Sequence, residues 1–294
     1  MGLCLSKDMA ICLVIFNPTR SKKIIENYFT MLEKLKGLPV YTLELIYHDR
    51  EPEILDAYHV YGSSIMFHKE NLCRILETKI PSKYKKIAFL DTDILFNDSK
   101  WYDKTSELLD SYDVVQLFDK CHWLDTKGQI TLTRRSVLHM DTKVYNSYYH
   151  PGFAWGFRRE WYKKVGFFDY ALSGSGDALS VIKWMNKTTP PKYKSIPKSI
   201  QKEFDLFCPE LPRITYLENI EVSHLYHGSR KNRQYVDRHD LLNLDSDIRD
   251  LILVNEKGLF EWKNLEMNKP FMDYFISRKD DEDEDDIVFI TTTT

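Results

Sequence analysis

Residues 85–96, from Lys85 to Phe96, read KKIAFLDTDILF. Ile87, Ala88, Phe89 and Leu90 form a short unbroken apolar run, the pattern of a strand buried on both faces of a mostly parallel α/β sheet. Two carboxylates, Asp91 and Asp93, follow at its C-terminal end. On an extended chain successive side chains alternate, which turns the two acids one way and Thr92 the other. Open parallel sheets bind ligands at the carboxyl ends of their strands. Paired aspartates in that position suit a hard divalent cation that bridges phosphates.

The segments on either side supply the rest of such a sheet. Upstream, the apolar stretch Met9–Phe16 reads as the first strand, because it lacks the basic flank and small-residue cleavage site of a signal peptide. It runs into Asn17-Pro18-Thr19-Arg20-Ser21, a loop whose Thr19 or Ser21 can cap a helix. The apolar stripe Ile24, Ile25, Tyr28, Phe29, Leu32, Leu35 then predicts that helix, closed by Gly37 and Pro39. Val40–Tyr47 is the second strand, so strand, helix and strand make one βαβ unit. A further helix over 68–79 leads into the DTD strand, and Asp113–Phe118 reads as the next strand.

Beyond Gly128 the pattern changes. Residues 130–137 and 145–157 mix aromatic and polar side chains, so part of the sheet is expected to be antiparallel. His150-Pro151-Gly152-Phe153-Ala154-Trp155-Gly156-Phe157 sets turn residues among large aromatics, which suits either a sugar-binding face or an ordinary core strand. A helix over 159–165 stops at Gly166. Then comes Gly174-Ser175-Gly176-Asp177 before a helical pattern over 178–185. Asp177 thus sits at a helix start, either as a cap or as a carboxylate kept ionised for use as a base. Residues 188–212 read as a long loop, a lid or an inert connection. A strand over 220–223 precedes His224-Leu225-Tyr226-His227-Gly228-Ser229-Arg230-Lys231-Asn232-Arg233, where imidazoles can join carboxylates around a transition metal and cations can grip a diphosphate.

Composition narrows the classes. The 294 residues carry a net charge of −3, which gives no nucleic-acid footprint. Five cysteines without a C-x-x-C pair point away from disulfides and zinc clusters and toward a reducing, cytoplasmic setting. No stretch has the length and apolarity of a transmembrane segment. Met1-Gly2-Leu3-Cys4-Leu5-Ser6 matches the myristoylation pattern with Gly2 as acceptor, and Cys4 offers a second acyl site. Membrane association through an N-terminal lipid anchor is one expectation, a chance match to a short pattern the other. The run DDEDEDD at 280–286 reads as a solvated, disordered acidic tail.

Together the apolar strand into Asp91-Thr92-Asp93, then HPGFAWGF, VGFFDYALSGSGD and HLYHGSRKNRQY resemble D-x-D-containing nucleotide-sugar-dependent glycosyltransferases of the GT-A fold, of microbial and viral type, over roughly residues 10–262. The resemblance implies a Rossmann-like domain over residues 10–278, between an N-terminal segment 1–9 and the tail 279–294. It implies a hexosyl- or pentosyltransferase that moves a sugar from a nucleotide-diphosphate sugar, such as a UDP-sugar, to a glycan or other hydroxyl acceptor. The cofactor implied is Mn2+ or Mg2+, and the outcome inversion.

Placed on residues, the resemblance assigns Phe16, Asn17, Thr19, Arg20, Asp49, Arg74, Asp91 and Thr92 to the nucleotide, and Arg230, Lys231 and Arg233 to the diphosphate. Asp93 and His227 become direct metal ligands, with Asp91 near the ribose or reaching the metal through water and His224 the alternative imidazole. Asp177 becomes the base, although this chain has Ala178 where commoner versions carry a second acid. Trp123, His150 and Trp155, with Phe157 and Trp161, form the expected acceptor platform. Two other classes share features: a HAD-type phosphatase also has D-x-D after an apolar strand, and a non-catalytic sugar-binding module keeps the fold without the chemistry.

Overall fold

The computed structural model describes residues 7–191 and 193–282. Gly2 and Cys4, on which the acylation expectation rests, lie outside the described residues, as does the acidic run beyond Glu282. Among the described residues, no helix is long and apolar enough to cross a membrane. Cys12, Cys73, Cys121 and Cys208 are free and buried.

The βαβ start is as the pattern predicts: β1 (Met9–Phe16), α1 (Lys22–Lys34) and β2 (Val40–Tyr47). Ser21 caps α1 by accepting from the Ile24 amide. The chain continues through β3 (Tyr58–Gly62), α2 (Lys69–Lys79), β4 (Lys86–Leu90), β5 (Ile94–Phe96), α3 (Trp101–Leu108), β6 (Val114–Gln116), β7 (Lys120–Leu124) and β8 (Ile130–Arg135). Then follow β9 (Ala154–Arg158), α4 (Arg159–Lys164), α5 (Gly176–Trp184), α6 (Gln201–Leu206), β10 (Ile214–Tyr216) and β11 (Glu221–His224). α7 (Ile248–Leu251), the hairpin β12 (Ile252–Val254) and β13 (Phe260–Trp262), and α8 (Asn268–Ser277) complete the described chain.

The main sheet has seven strands in the order β10-β6-β9-β4-β1-β2-β3. Every neighbouring pair is parallel except those made by β9, which runs antiparallel to both β4 and β6. This is the mixed, mostly parallel α/β sheet expected from the sequence. Alternation along β1 sends Met9, Ile11, Leu13 and Ile15 into one apolar layer beneath α1 and α3. Ala10 and Cys12 enter the opposite layer, which α2, α4, α5 and α8 cover. A smaller sheet, β5-β11-β7-β8, sits beside the end of β4.

Three expectations need correction. The DTD segment is not an extended continuation of β4: Thr92 and Asp93 form a turn, and β5 joins the second sheet antiparallel to β11. Asp91 and Asp93 therefore meet different partners. After Trp262, α8 packs Phe275 against Phe16 and Phe67. Asp280, the first residue of the acidic run, is buried and is not part of a solvated tail. The 188–212 stretch carries α6 and a single 3-10 turn over 198–200.

Candidate active site

The switch point of the main sheet lies between β1 and β4, whose carboxyl ends open onto a cavity of about 530 Å3. Asp91 leaves β4 with its amide bonded to the Phe153 carbonyl at 2.7 Å, which pins the start of the turn. Its carboxylate meets Lys69 at the start of α2, 2.5 Å away. Burial pushes the Asp91 carboxyl up to about 6 against the pull of Lys69, with Asp93 and Asp177 adding to the rise. Burial opposes the charge on Lys69, but Asp91, Asp177 and Glu70 hold it charged.

Asp93 is held differently. Its carbonyl accepts from the Leu225 amide at 2.7 Å, and β5 pairs Ile94 with His224. That register brings Asp93 Oδ2 to 2.7 Å from His227 Nε2 and 3.5 Å from His224 Nε2, with the two imidazole nitrogens 3.2 Å apart. One carboxylate and two imidazoles thus offer ligand atoms within 4.8 Å of one another. Burial tends to raise the Asp93 carboxyl, but the two imidazoles hold it well below the usual carboxylate range. Burial lowers His224, favouring the neutral ring a metal requires. Asp93 Oδ1 is buried with no hydrogen-bond partner, an expensive state that a cation would relieve. The donor set fits a divalent transition ion. Asp91 is outside this cluster.

Asp177 faces the same cavity from the first turn of α5. Its Oδ1 accepts from the Ala178 amide at 2.7 Å. Gly152 lies against it, and a side chain at 152 would displace Asp177 Oδ2. The preceding turn is left-handed at Ser175, φ 68°. Ser175 Oγ is bonded to His239 Nε2 at 3.1 Å and to Arg238 Nη2 at 3.1 Å, so a segment over sixty residues downstream braces the loop before α5. Glu70, buried against Gly176, has its carboxyl pushed up to about 8 by burial, with Asp177 adding to the rise.

No protein-family model matches the chain. No curated protein matches it. Among solved structures the chain is similar to a mutant of Drosophila β1,4-galactosyltransferase 7 in complex with manganese, UDP-Gal and xylobiose, at 14% identity over 90% of this chain and 98% of that one, TM-score 0.44. It is also similar to glucosyl-3-phosphoglycerate synthase from Mycobacterium tuberculosis in complex with Mn2+, UDP-glucose and phosphoglyceric acid, at 10% identity over 81% and 77% of the chains, TM-score 0.40. At these scores the likenesses carry no weight for activity, donor or acceptor.

The remaining sequence expectations divide. Phe16, Thr19, Thr92, Trp123, His150, Arg230 and Arg233 all line the cavity. Arg230 lies over the Trp123 ring at 5.4 Å. Arg233 Nη2 donates to the His227 carbonyl at 2.9 Å. Asn17 stands behind the cavity wall, bonded to Ser21 and Glu53. Arg20 and Asp49 border a separate depression with Arg50 and Glu53. Arg74 pairs with Asp169 at 3.0 Å beside a different cavity. Lys231 does not line the main cavity among the described residues.

Trp155, Phe157 and Trp161 are not an acceptor platform. All three are buried, and each packs against Trp184 of α5. Tyr145, Tyr149, Tyr193 and Arg134 line the cavity where these three do not. Sequence reasoning missed these residues, and it missed Lys69, Glu70 and Arg278. A tyrosine or lysine outside any spacing pattern leaves no local signal of where the fold will bring it.

Proposed function

We propose that this chain is a metal-dependent glycosyltransferase that moves a sugar from a nucleoside-diphosphate sugar, a UDP-sugar first among them, to an acceptor hydroxyl with inversion. The observation that carries the reading is the Asp93–His224–His227 cluster, with its unpartnered Asp93 Oδ1, opening onto the same cavity as Asp177.

Asp93, His224 and His227 would hold the ion. When bound, a divalent cation offsets the charge that grows on the leaving diphosphate. Arg230 and Arg233 add fixed positive charge to the same wall. Phe16, Pro18 and Thr19, at the end of β1, shape the part of the cavity assigned to the nucleoside. Lys69 neutralises Asp91 and keeps it away from the metal cluster. Asp177 accepts the proton of the acceptor hydroxyl as that oxygen attacks the anomeric carbon, so one displacement inverts the centre. Tyr149 offers a ring face to the acceptor's C–H surfaces, and Trp123, under Arg230, backs the same cavity.

A screen of sugar nucleotides with Mn2+ tests the reading: one donor should release its nucleoside diphosphate only with metal, and Asp93→Ala should abolish that release while the circular dichroism spectrum persists. Turnover of phosphomonoesters instead would identify a phosphatase. Binding of sugars without turnover of any nucleotide would identify a binding module.

A further inference from the structure

The acidic end of the described chain is built into the donor side of the cavity. After α8 the chain turns at Lys279, φ 53°, and crosses the loop that carries His227 and Arg233. Arg278 and Asp280 are 9% and 5% exposed, and both line the cavity. Arg278 Nε and Nη2 donate to Asp280 Oδ1 at 3.2 and 3.0 Å. The same oxygen lies 3.7 Å from His227 Nδ1.

The crossing is specified at several further points. Gly228 has φ +82°, and a side chain there would meet the Lys279 carbonyl at 3.0 Å and the Arg278 carbonyl at 3.1 Å. Asp281 caps α1: Oδ1 accepts from Ser21 Oγ at 2.6 Å and the Lys23 amide at 2.9 Å, and Oδ2 from the Lys22 amide at 3.2 Å. Tyr226 Oη donates to the Glu282 carbonyl at 3.0 Å. Residues 278–282 thus tie the loop after β1, on the nucleoside side, to the loop after β11, on the metal side.

A guanidinium has five donors and matches phosphate oxygens in pairs. Arg278 Nη1 has no hydrogen-bond partner among the described residues, while Nε and Nη2 are held by Asp280. Asp280 and Asp93 provide two carboxylates where Arg230, Arg233 and Arg278 provide three guanidiniums. The excess of positive charge along this wall is what a diphosphate would neutralise. The structure assigns residues 278–282, we infer, to the closing edge of the donor site, with Arg278 a diphosphate contact and Asp280 the residue that positions Arg278 and His227. This rests on the nucleotide-sugar reading above.

The test compares a nucleoside diphosphate with its nucleoside. The full chain is titrated calorimetrically with UDP and with uridine at fixed Mn2+, as wild type, Arg278→Gln and Arg278→Lys, with thermal melts to check folding. Arg278→Gln should weaken UDP about 10–100-fold, the worth of charge-assisted hydrogen bonds, and leave uridine unchanged. Arg278→Lys, which keeps the charge without the fork, should fall between. Equal losses for UDP and uridine would show a merely structural role, and unchanged UDP affinity would remove Arg278 from the site. Either result overturns the inference and leaves the transferase reading standing. Wild-type protein that binds none of UDP, GDP, CDP and ADP with Mn2+ overturns both.

Discussion

The base assignment is tested most directly by Asp177→Asn. In the folded chain Asp177 Oδ1 accepts from the Ala178 amide at 2.7 Å, and Oδ2 lies against Gly152. Asparagine reproduces both: its oxygen keeps the amide bond and its nitrogen takes the place of Oδ2. Ser175, not Asp177, holds the cap position of α5, and its side chain makes no cap bond. Little helix stability is therefore at stake. What the substitution removes is the ability to take a proton. General base catalysis contributes about 10²–10⁴-fold, so about 3–5 kcal/mol is added to the barrier. Donor affinity should hold, because the metal cluster and its neighbouring arginines make no hydrogen bond to Asp177. The assay is single-turnover transfer to an acceptor hydroxyl, with UDP affinity measured in parallel. Transfer near the wild-type rate, with unchanged UDP affinity, would refute the assignment of the base.

Other expectations follow from the same geometry. His227→Ala should reduce a preference for Mn2+ over Mg2+ in UDP binding, because it removes one of the two imidazoles that discriminate them; a preference equal to that of wild type would remove His227 from the cluster. Glu70, raised from 4.5 to about 8, keeps a proton in the folded state that the unfolded chain releases, so stability falls as pH rises between those values. Glu70→Gln should remove that slope and exceed wild type by up to a few kcal/mol above about pH 8, read from urea melts on either side of the window; parallel pH profiles would refute it. Arg159 bonds Glu77 Oε1 at 2.6 Å and the carbonyls of Glu77 and Ile80 at the end of α2. Arg159→Ala should cost about 3–5 kcal/mol in denaturant unfolding, since it strands a buried carboxylate, and a loss below 1 kcal/mol would show the pair to be dispensable.

Much of this architecture was legible because local signals and tertiary demand agree. Ser21, the apolar stripe of α1 and the solid run of β4 are each sufficient in sequence, and each appears where its pattern places it. The G-x-G-D turn and the two histidines were legible as chemistry, because small residues and imidazoles are concentrated there. What failed depended on packing. Trp155, Phe157 and Trp161 have the composition of a sugar platform, yet the antiparallel placement of β9 turns Trp155 and Phe157 under α5, and Trp161 packs there from α4. Arg74 and Asp49 stand near the motif in sequence order but open onto other surfaces. The acidic run averages to a solvated tail, and that average conceals Asp280, whose neighbours Arg278 and His227 come from just after α8 and from the loop after β11.

The division between the two aspartates of the D-x-D segment carries the chemistry furthest. Had the chain stayed extended, both carboxylates would face one ion, and a dication bound by two carboxylates is locally neutral. The turn at Thr92 and Asp93 instead gives Asp91 to Lys69 and leaves Asp93 with two imidazoles. One carboxylate and two neutral rings leave a bound dication with a net charge of about +1. That residual charge sits on the wall that Arg230, Arg233 and Arg278 also line. Such a wall attracts a diphosphate more strongly than a neutralised centre would, and it favours the charge that develops as the sugar departs. Lys69→Met therefore does more than break an ion pair. It frees Asp91 to approach the metal cluster, which should tighten metal binding while it weakens the metal's hold on UDP. Calorimetry that found both affinities reduced together would show that Lys69 acts only as a structural prop.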